Sequence, residues 1–315
     1  MLARFIVAVG LLFSFTIPLC ADEPAFPIRA KRILFLGDSI THAGHYITLI
    51  EARLRVAGHD AYPELINLGL PSETCSGLSE PQHPWPRPNV HERIDRALAK
   101  TKPDVVVACY GMNDGIYYPL SEERFAAYRR GIDQIIDKVQ ATGAKLILMT
   151  PPAFDPLPLK NQGKLLPAGA DEYSWKTIYE HYDDVLRQYA AWVMQQADRV
   201  AMVIDLHTPV TQYVAKKRKS DPQFTMSPDG VHVNHEGHEV LAAAVLAAWG
   251  LGEPVEPDPR LLALISRRQS LMHDAWLSEV GHKRPGVKAG LPIKQASDEA
   301  AEIDKQIRAL AVPSP

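Results

Sequence analysis

Five positions in this 315-residue chain carry side chains or backbone at spacings suited to acyl transfer. Ser39 stands two residues after the glycine that ends the apolar string Ile33-Leu34-Phe35-Leu36. Asp229 and His232 lie three apart in Ser227-Pro228-Asp229-Gly230-Val231-His232, so a carboxylate and an imidazole can meet on one turn of chain. Gly69 and Asn113 each follow an apolar string, in Asn67-Leu68-Gly69 and Gly111-Met112-Asn113-Asp114. Acyl transfer needs a nucleophile, an adjacent base, a group that orients the base, and donors aimed at the developing oxyanion. In that scheme Ser39 attacks, His232 takes its proton, and Asp229 holds the other ring nitrogen. The backbone N–H groups of Ser39 and Gly69 and the Asn113 amide form the oxyanion hole. Each residue also has a plainer reading. Asp38-Ser39 after a strand is a common helix cap, Gly69 a tight-turn glycine, and Asn113-Asp114-Gly115 an ordinary turn.

The elements around these residues must bring them to one edge. The string 33–36 is short, continuous and preceded by Lys31-Arg32, the pattern of a strand buried on both faces. Further strands are predicted over Tyr62–Leu68, Asp104–Tyr110, Lys145–Thr150 and Val200–Asp205. Helical spacing runs from about Tyr46 to a stop at Gly58, then over Val90–Ala99, Ser121–Ala141, Ser174–Ala197, Pro209–Lys219 and His235–Trp249. Long loops are expected over Cys75–Asn89 and Ala153–Glu172. Alternating strands and helices predict a three-layer α/β/α sandwich around a parallel sheet of about five strands. In open sheets of this kind ligands bind outside the carboxyl ends of the strands, where Ser39, Gly69 and Asn113 are expected. Beyond Gly252 the pattern changes. Pro254, Pro257 and Pro259 make a stiff connector to two helical segments, about Arg260–Val280 and Lys294–Leu310. The division expected is 1–21 leader, 31–252 catalytic domain and 253–315 helical extension.

The chain resembles the GDSL, or SGNH, hydrolase superfamily over about Lys31–Trp249. Gly37-Asp38-Ser39 matches its first block, Gly69 the second, Asn113 the third, and Asp229 and His232 the fifth. One such block is weak evidence; four in order, each at a predicted strand end, are specific. The resemblance implies a flavodoxin-like fold and ester hydrolysis without a cofactor. It assigns Ser39 as nucleophile, Gly69 and Asn113 as oxyanion donors, and Asp229 and His232 as the other triad members. The Gly-x-Ser-x-Gly elbow of the α/β-hydrolases is absent around Ser39, and the extension has no counterpart in the minimal family fold. The nearest branches, acetyl esterases of polysaccharides, make a small acyl ester on a carbohydrate the expected substrate. Two rivals are a lysophospholipase or thioesterase, with Leu157, Leu159, Leu165 and Leu166 supplying an acyl groove, and a non-catalytic carbohydrate-binding protein.

Other features bound the reading. With 46% hydrophobic and 23% charged residues the composition is that of a globular chain with a sizeable core. A net charge of -3 gives no argument for nucleic acid or an anionic membrane as partner. Met1–Ala21 reads as a secretory signal, with Arg4, an apolar run to Leu19, and cleavage expected after Ala21. That predicts a secreted or periplasmic protein without a stable membrane span; Leu19 fits a lipobox around Cys20 poorly. Cys75 and Cys109 then remain, and buried free thiols are expected rather than a bridge. His232, His235 and His238 fall within seven residues, but Asp229 already accounts for His232, so no metal is expected. Glu73, Tyr110 and Tyr117 are candidates for the pocket wall, and His83, Trp85 and Arg87 for sugar contacts. The run Lys216–Lys219 reads as a solvated helix end.

Overall fold

The structure, a computed structural model, describes residues 26–56, 62–160, 162–252 and 258–311. The leader Met1–Ala21, the Gly58 stop and the connector prolines Pro254 and Pro257 lie outside them. Strands β1 (Arg32–Gly37), β2 (Glu64–Asn67), β3 (Val105–Cys109) and β4 (Lys145–Met149) begin and end within two residues of the expected strands. Two short strands follow, β5 (Leu165–Leu166) and β6 (Ile178–Tyr179), and then β7 (Met202–Ile204). Strands β1 to β4 and β7 form a five-stranded parallel sheet in the order β2-β1-β3-β4-β7. Every residue of β3 is buried, as expected of a strand covered on both faces.

The helices are α1 (Ser39–Ala43), α2 (His45–Val56), α3 (Ile94–Thr101), α4 (Glu122–Ala141), α5 (Leu157–Lys160), α6 (Tyr182–Met194), α7 (His207–Lys217) and α8 (His235–Ala248). The extension supplies α9 (Pro259–Val280) and α10 (Ile293–Ala311). Helices α2 and α8 pack together on one side of the sheet and α3 and α4 on the other, the three-layer arrangement that right-handed crossovers impose. Ser121 caps α4 by accepting from the Arg124 amide at 3.2 Å.

Several segments differ from the sequence expectation: the loop expected over 153–172 carries α5 and β5, α1 precedes the helix expected from about Tyr46, and α3 starts at Ile94 rather than Val90. Helix α6 begins at Tyr182, not Ser174, because Ile178 and Tyr179 pair with Leu165 and Leu166. A non-local pairing there outweighs local helix propensity. Strand β7 stops at Ile204 because the chain turns at Asp205, one residue before the N-cap Leu206 of α7, with Asp205 Oδ1 accepting from the His207 and Thr208 amides at 3.0 and 3.2 Å.

The order reverses across β1: the chain leaves β1 for β2 on one side and returns to β3 on the other. Such a switch point opens a crevice at the strand ends. The register pairs Gly37 with Cys109, so Ser39 and Asn113 emerge from neighbouring strands a few residues beyond a shared rung.

The extension closes the β2 edge. His273 on α9 bonds the Asn67 carbonyl through Nδ1 at 3.0 Å, and Gln269 donates to the Leu65 carbonyl at 3.3 Å. These are outward-facing carbonyls of an edge strand, which would otherwise offer a template for pairing. Leu261 and Ile265 of α9 pack with Ala52 of α2 and with Ile303 and Ile307 of α10. Arg55 joins Glu51 on α2 to Asp304 on α10, and Arg268 on α9 reaches the same Asp304 at 2.9 Å. Ile265 is fully buried, so Ile265→Ala should cost about 2–5 kcal/mol of unfolding free energy. Denaturant unfolding would check this, and a loss under about 0.5 kcal/mol, the scale of a surface change, would mean the helices dock loosely.

Candidate active site

Asp38 has an extended backbone and its carboxylate accepts from the Ile40 amide at 2.9 Å, which makes it the N-cap of α1. Ser39 is the first residue of that helix, so its hydroxyl is fixed at the carboxyl end of β1. Gly37 permits the turn: a Cβ there would lie 2.3 Å from Thr41 Oγ1. Burial pushes the Asp38 carboxyl up to about 7, against the opposing effects of the Ile40 amide and the charge of His232.

Asp229 divides its two oxygens. Oδ1 accepts from the Val231 and His232 amides at 3.0 and 2.7 Å and locks the turn. Oδ2 lies 2.6 Å from His232 Nδ1. This is why the three-residue spacing works: one oxygen holds the backbone that carries the ring, and the other holds the ring. His232 Nε2 lies 2.7 Å from Ser39 Oγ, across 193 residues of sequence. With Nδ1–H donating to Asp229, a tautomer assigned from the network, Nε2 is free to accept the serine proton. The hydrogen bond to Asp229 raises the His232 pKa, with burial opposing and the negative charges of Asp229 and Asp38 adding to the rise. Burial would raise the Asp229 carboxyl, but the His232 ring, amide and charge together hold it down at about 2.

Asn113 sits in the loop after β3, where Ile116 and Tyr117 have φ of 46° and 65°. A β-branched residue in this region is strained. The Asn113 Oδ1 accepts from Arg87 Nη1 and from Tyr117 Oη, both at 3.0 Å, while Nδ2 donates to the Glu73 carbonyl at 3.2 Å. Two donors on the oxygen fix which way the amide faces. Nδ2 retains a second hydrogen for the pocket. Arg87 is itself held by a bidentate pair with Glu80 at 2.6 and 2.7 Å.

A pocket of about 310 Å³ opens beside Ser39, His232 and Asn113, with Ser72, Trp85 and Trp175 also in its wall. Gly69 is not brought there. Its N–H donates to Asn67 Oδ1 at 2.8 Å, and a Cβ on it would lie 2.2 Å from the His42 nitrogen. The glycine is required because α1 passes against it, and the amide expected to meet an oxyanion is already engaged. Ser72, three residues on, lines the pocket with φ of 66°. Sequence reasoning passed over it because a left-handed position is usually signalled by glycine. Arg284, from the extension, also lines the pocket, and no local pattern marks it.

The other candidates divide. Tyr117, His83, Trp85 and Arg87 line the pocket. Glu73 and Tyr110 lie behind it: Glu73 pairs with Arg93 at 2.6 Å and accepts from Tyr110 Oη at 2.7 Å. His238 is buried and stacks on Tyr46 with centroids 6.2 Å apart, and burial lowers its pKa to about 4. His235 faces Glu239 at 3.4 Å. Among the described residues no group of His, Cys, Asp and Glu is placed to hold a metal ion. In the basic run, Lys217 pairs with Glu236 and Arg218 with Asp155. Cys75 and Cys109 are buried free thiols. No helix among the described residues is long and apolar enough to cross a membrane.

Residues 35–240 match the model of the GDSL-like lipase/acylhydrolase family. No curated protein sequence matches the chain. Among solved structures it is similar to a gut microbial diltiazem-metabolizing enzyme, with 19% identity over 71% of this chain and a TM-score of 0.56. It spans 47% of that enzyme's length. A catalytic mutant of Axe2, an acetylxylan esterase from Geobacillus stearothermophilus, is similar at 19% identity, with 72% of this chain and 97% of that one covered and a TM-score of 0.52. A second Axe2 variant, described as an acetyl-xylooligosaccharide esterase, has 19% identity, coverage of 70% and 94%, and a TM-score of 0.51. At these identities the likeness is one of fold.

Proposed function

Because the chain belongs to the GDSL-like lipase/acylhydrolase family, whose members are carboxylic ester hydrolases, we propose that it is an exported serine esterase releasing small acyl groups, acetyl above all, from a carbohydrate. The observation that carries this reading is the 2.7 Å approach of Ser39 Oγ to His232 Nε2, with Asp229 Oδ2 at 2.6 Å behind the ring.

In the proposed cycle His232 Nε2 takes the Ser39 proton as Oγ attacks the ester carbonyl. The carbonyl oxygen becomes an alkoxide, which Asn113 Nδ2 and the Ser39 and Ser72 amides stabilise; Ser72 takes the part expected of Gly69. Collapse breaks the C–O bond and His232 returns its proton to the leaving alcohol. Water, deprotonated by the same nitrogen, then cleaves the acyl-enzyme to a carboxylic acid and free serine. No step needs a cofactor. Export rests on Met1–Ala21, outside the described residues.

The small-acyl preference rests on the pocket wall, in which Trp85, Trp175 and Tyr117 stand beside the reacting groups and no leucine takes part. None of the leucines that could have formed a long acyl groove, Leu157, Leu159, Leu165 and Leu166, lines this pocket; Leu159 is buried and Leu165 and Leu166 belong to β5, paired with β6. The esters of one alcohol with acyl chains from two to sixteen carbons would test this. Cleavage of acetyl but not long-chain esters is expected; the reverse selects a lysophospholipase or thioesterase, and no cleavage selects a binding protein. Asn113→Ala should lower kcat by about 10²–10³-fold, the loss seen when one oxyanion donor is removed. Turnover near wild type would take Asn113 out of the hole.

A further inference from the structure

The pocket beside Ser39 is lined by two arginines and two histidines and by no acid. The two guanidinium groups are not alike. Arg87 is buried, and Glu80 neutralises it through two hydrogen bonds. Arg284 comes from the segment between α9 and α10, and no carboxylate among the described residues lies within ion-pair distance of it. Its Nε donates to the Pro71 carbonyl at 3.3 Å, its Nη1 to the Pro285 carbonyl, and its guanidinium lies 4.7 Å above the Trp85 ring. It is held in place by neutral groups, with its charge uncompensated. Burial lowers its pKa and the Arg87 charge beside it adds to that effect.

Glu80 is taken up by Arg87, so the half-buried Arg284 beside it keeps a positive charge that an anion entering the pocket can balance. A planar guanidinium offers paired donors matched to carboxylate and to sulfate oxygens. A small acyl group such as acetyl carries no charge, so an anion that meets Arg284 beside Trp85 must belong to the acyl acceptor.

We propose that the acyl acceptor is an acidic saccharide, carrying a carboxylate or sulfate close to the acylated hydroxyl, and that Arg284 selects it. This rests on the esterase reading above and adds the class of substrate. It also gives the extension a function: the helices that cover the β2 edge carry the specificity residue into the pocket.

The test compares wild type, Arg284→Gln and Arg284→Lys on acetylated oligosaccharides of equal length. One arm carries free uronate carboxylates, one carries the same carboxylates as methyl esters, and one is neutral in its sugars but sulfated. For wild type, kcat/KM in an anionic arm should exceed the neutral arm by about tenfold or more, mainly through KM, the scale of one hydrogen-bonded charge pair. Preference in the uronate or the sulfate arm identifies which anion is read. In Arg284→Gln that ratio should collapse toward one, in Arg284→Lys it should survive in part, and in wild type raised salt should compress it. Equal rates in all arms, or a preference that survives Arg284→Gln, overturns the proposal. p-Nitrophenyl acetate separates the two readings. If wild type cleaves neither it nor any saccharide ester, the esterase reading fails. The selection is then read from calorimetric binding of a uronate oligosaccharide to wild type and Arg284→Gln, where equal affinity overturns it.

Discussion

Ser39→Ala should lower kcat on acetyl esters by about 10⁴-fold or more, since removing one member of a triad removes nearly all that the triad supplies. Of the two serine hydroxyls in the pocket wall, that of Ser39 is the one hydrogen-bonded to the base, His232 Nε2, at 2.7 Å, its single hydrogen-bond partner among the described residues. Asp38, not Ser39, caps α1, so alanine at 39 leaves the helix start intact. Stability should therefore change by no more than about 1 kcal/mol, the net worth of one hydrogen bond. Kinetics and denaturant unfolding on the same preparation separate the two effects. Turnover within tenfold of wild type would remove Ser39 as nucleophile, whatever the geometry suggests. A large loss accompanied by unfolding would make its role structural.

The parts of this site that could be read from sequence are those fixed by local rules. The apolar strings of β1 and β3 have no other stable use than as buried strands, and each ends in a turn that exposes the next polar residue. Asp229 and His232 are close in sequence, so their pairing needs only one turn of chain. The parts that could not be read are fixed by packing at a distance. Gly69 carries a glycine because α1 crosses it, and nothing in Asn67-Leu68-Gly69 distinguishes that need from an oxyanion turn. Ser72 adopts φ of 66° without the glycine that would have marked the position. Ile178 and Tyr179 leave the helical pattern for a strand partner found only in three dimensions. Arg284 reaches the pocket from a tail more than 200 residues beyond the Pro71 carbonyl it bonds, and its neighbours in sequence carry no sign of a site.

Asp229→Asn should cost about 10⁴-fold in kcat with little change in fold, and it should move the pH profile. The asparagine oxygen can keep the bonds to the Val231 and His232 amides, so the turn survives. Its amide nitrogen then faces His232 Nδ1, donor against donor, unless the ring changes tautomer. The proton then sits on Nε2, where it can no longer accept from Ser39. In wild type the base must be neutral to act, so kcat/KM falls as pH drops through the pKa of His232. The Asp229 hydrogen bond raises that pKa above the ordinary 6.5, so the acid limb should lie above 6.5. The Asp229 carboxyl, held at about 2, stays ionised throughout that limb. Asp38, pushed to about 7 and sensed by His232, titrates alongside it, so the limb is a property of the pair. Removing the Asp229 charge takes the counter-ion from the imidazolium and lowers its pKa, so the residual activity of Asp229→Asn should persist to lower pH than wild type. An acid limb that stays in place, or rises, would show that Asp229 does not hold the ring during turnover.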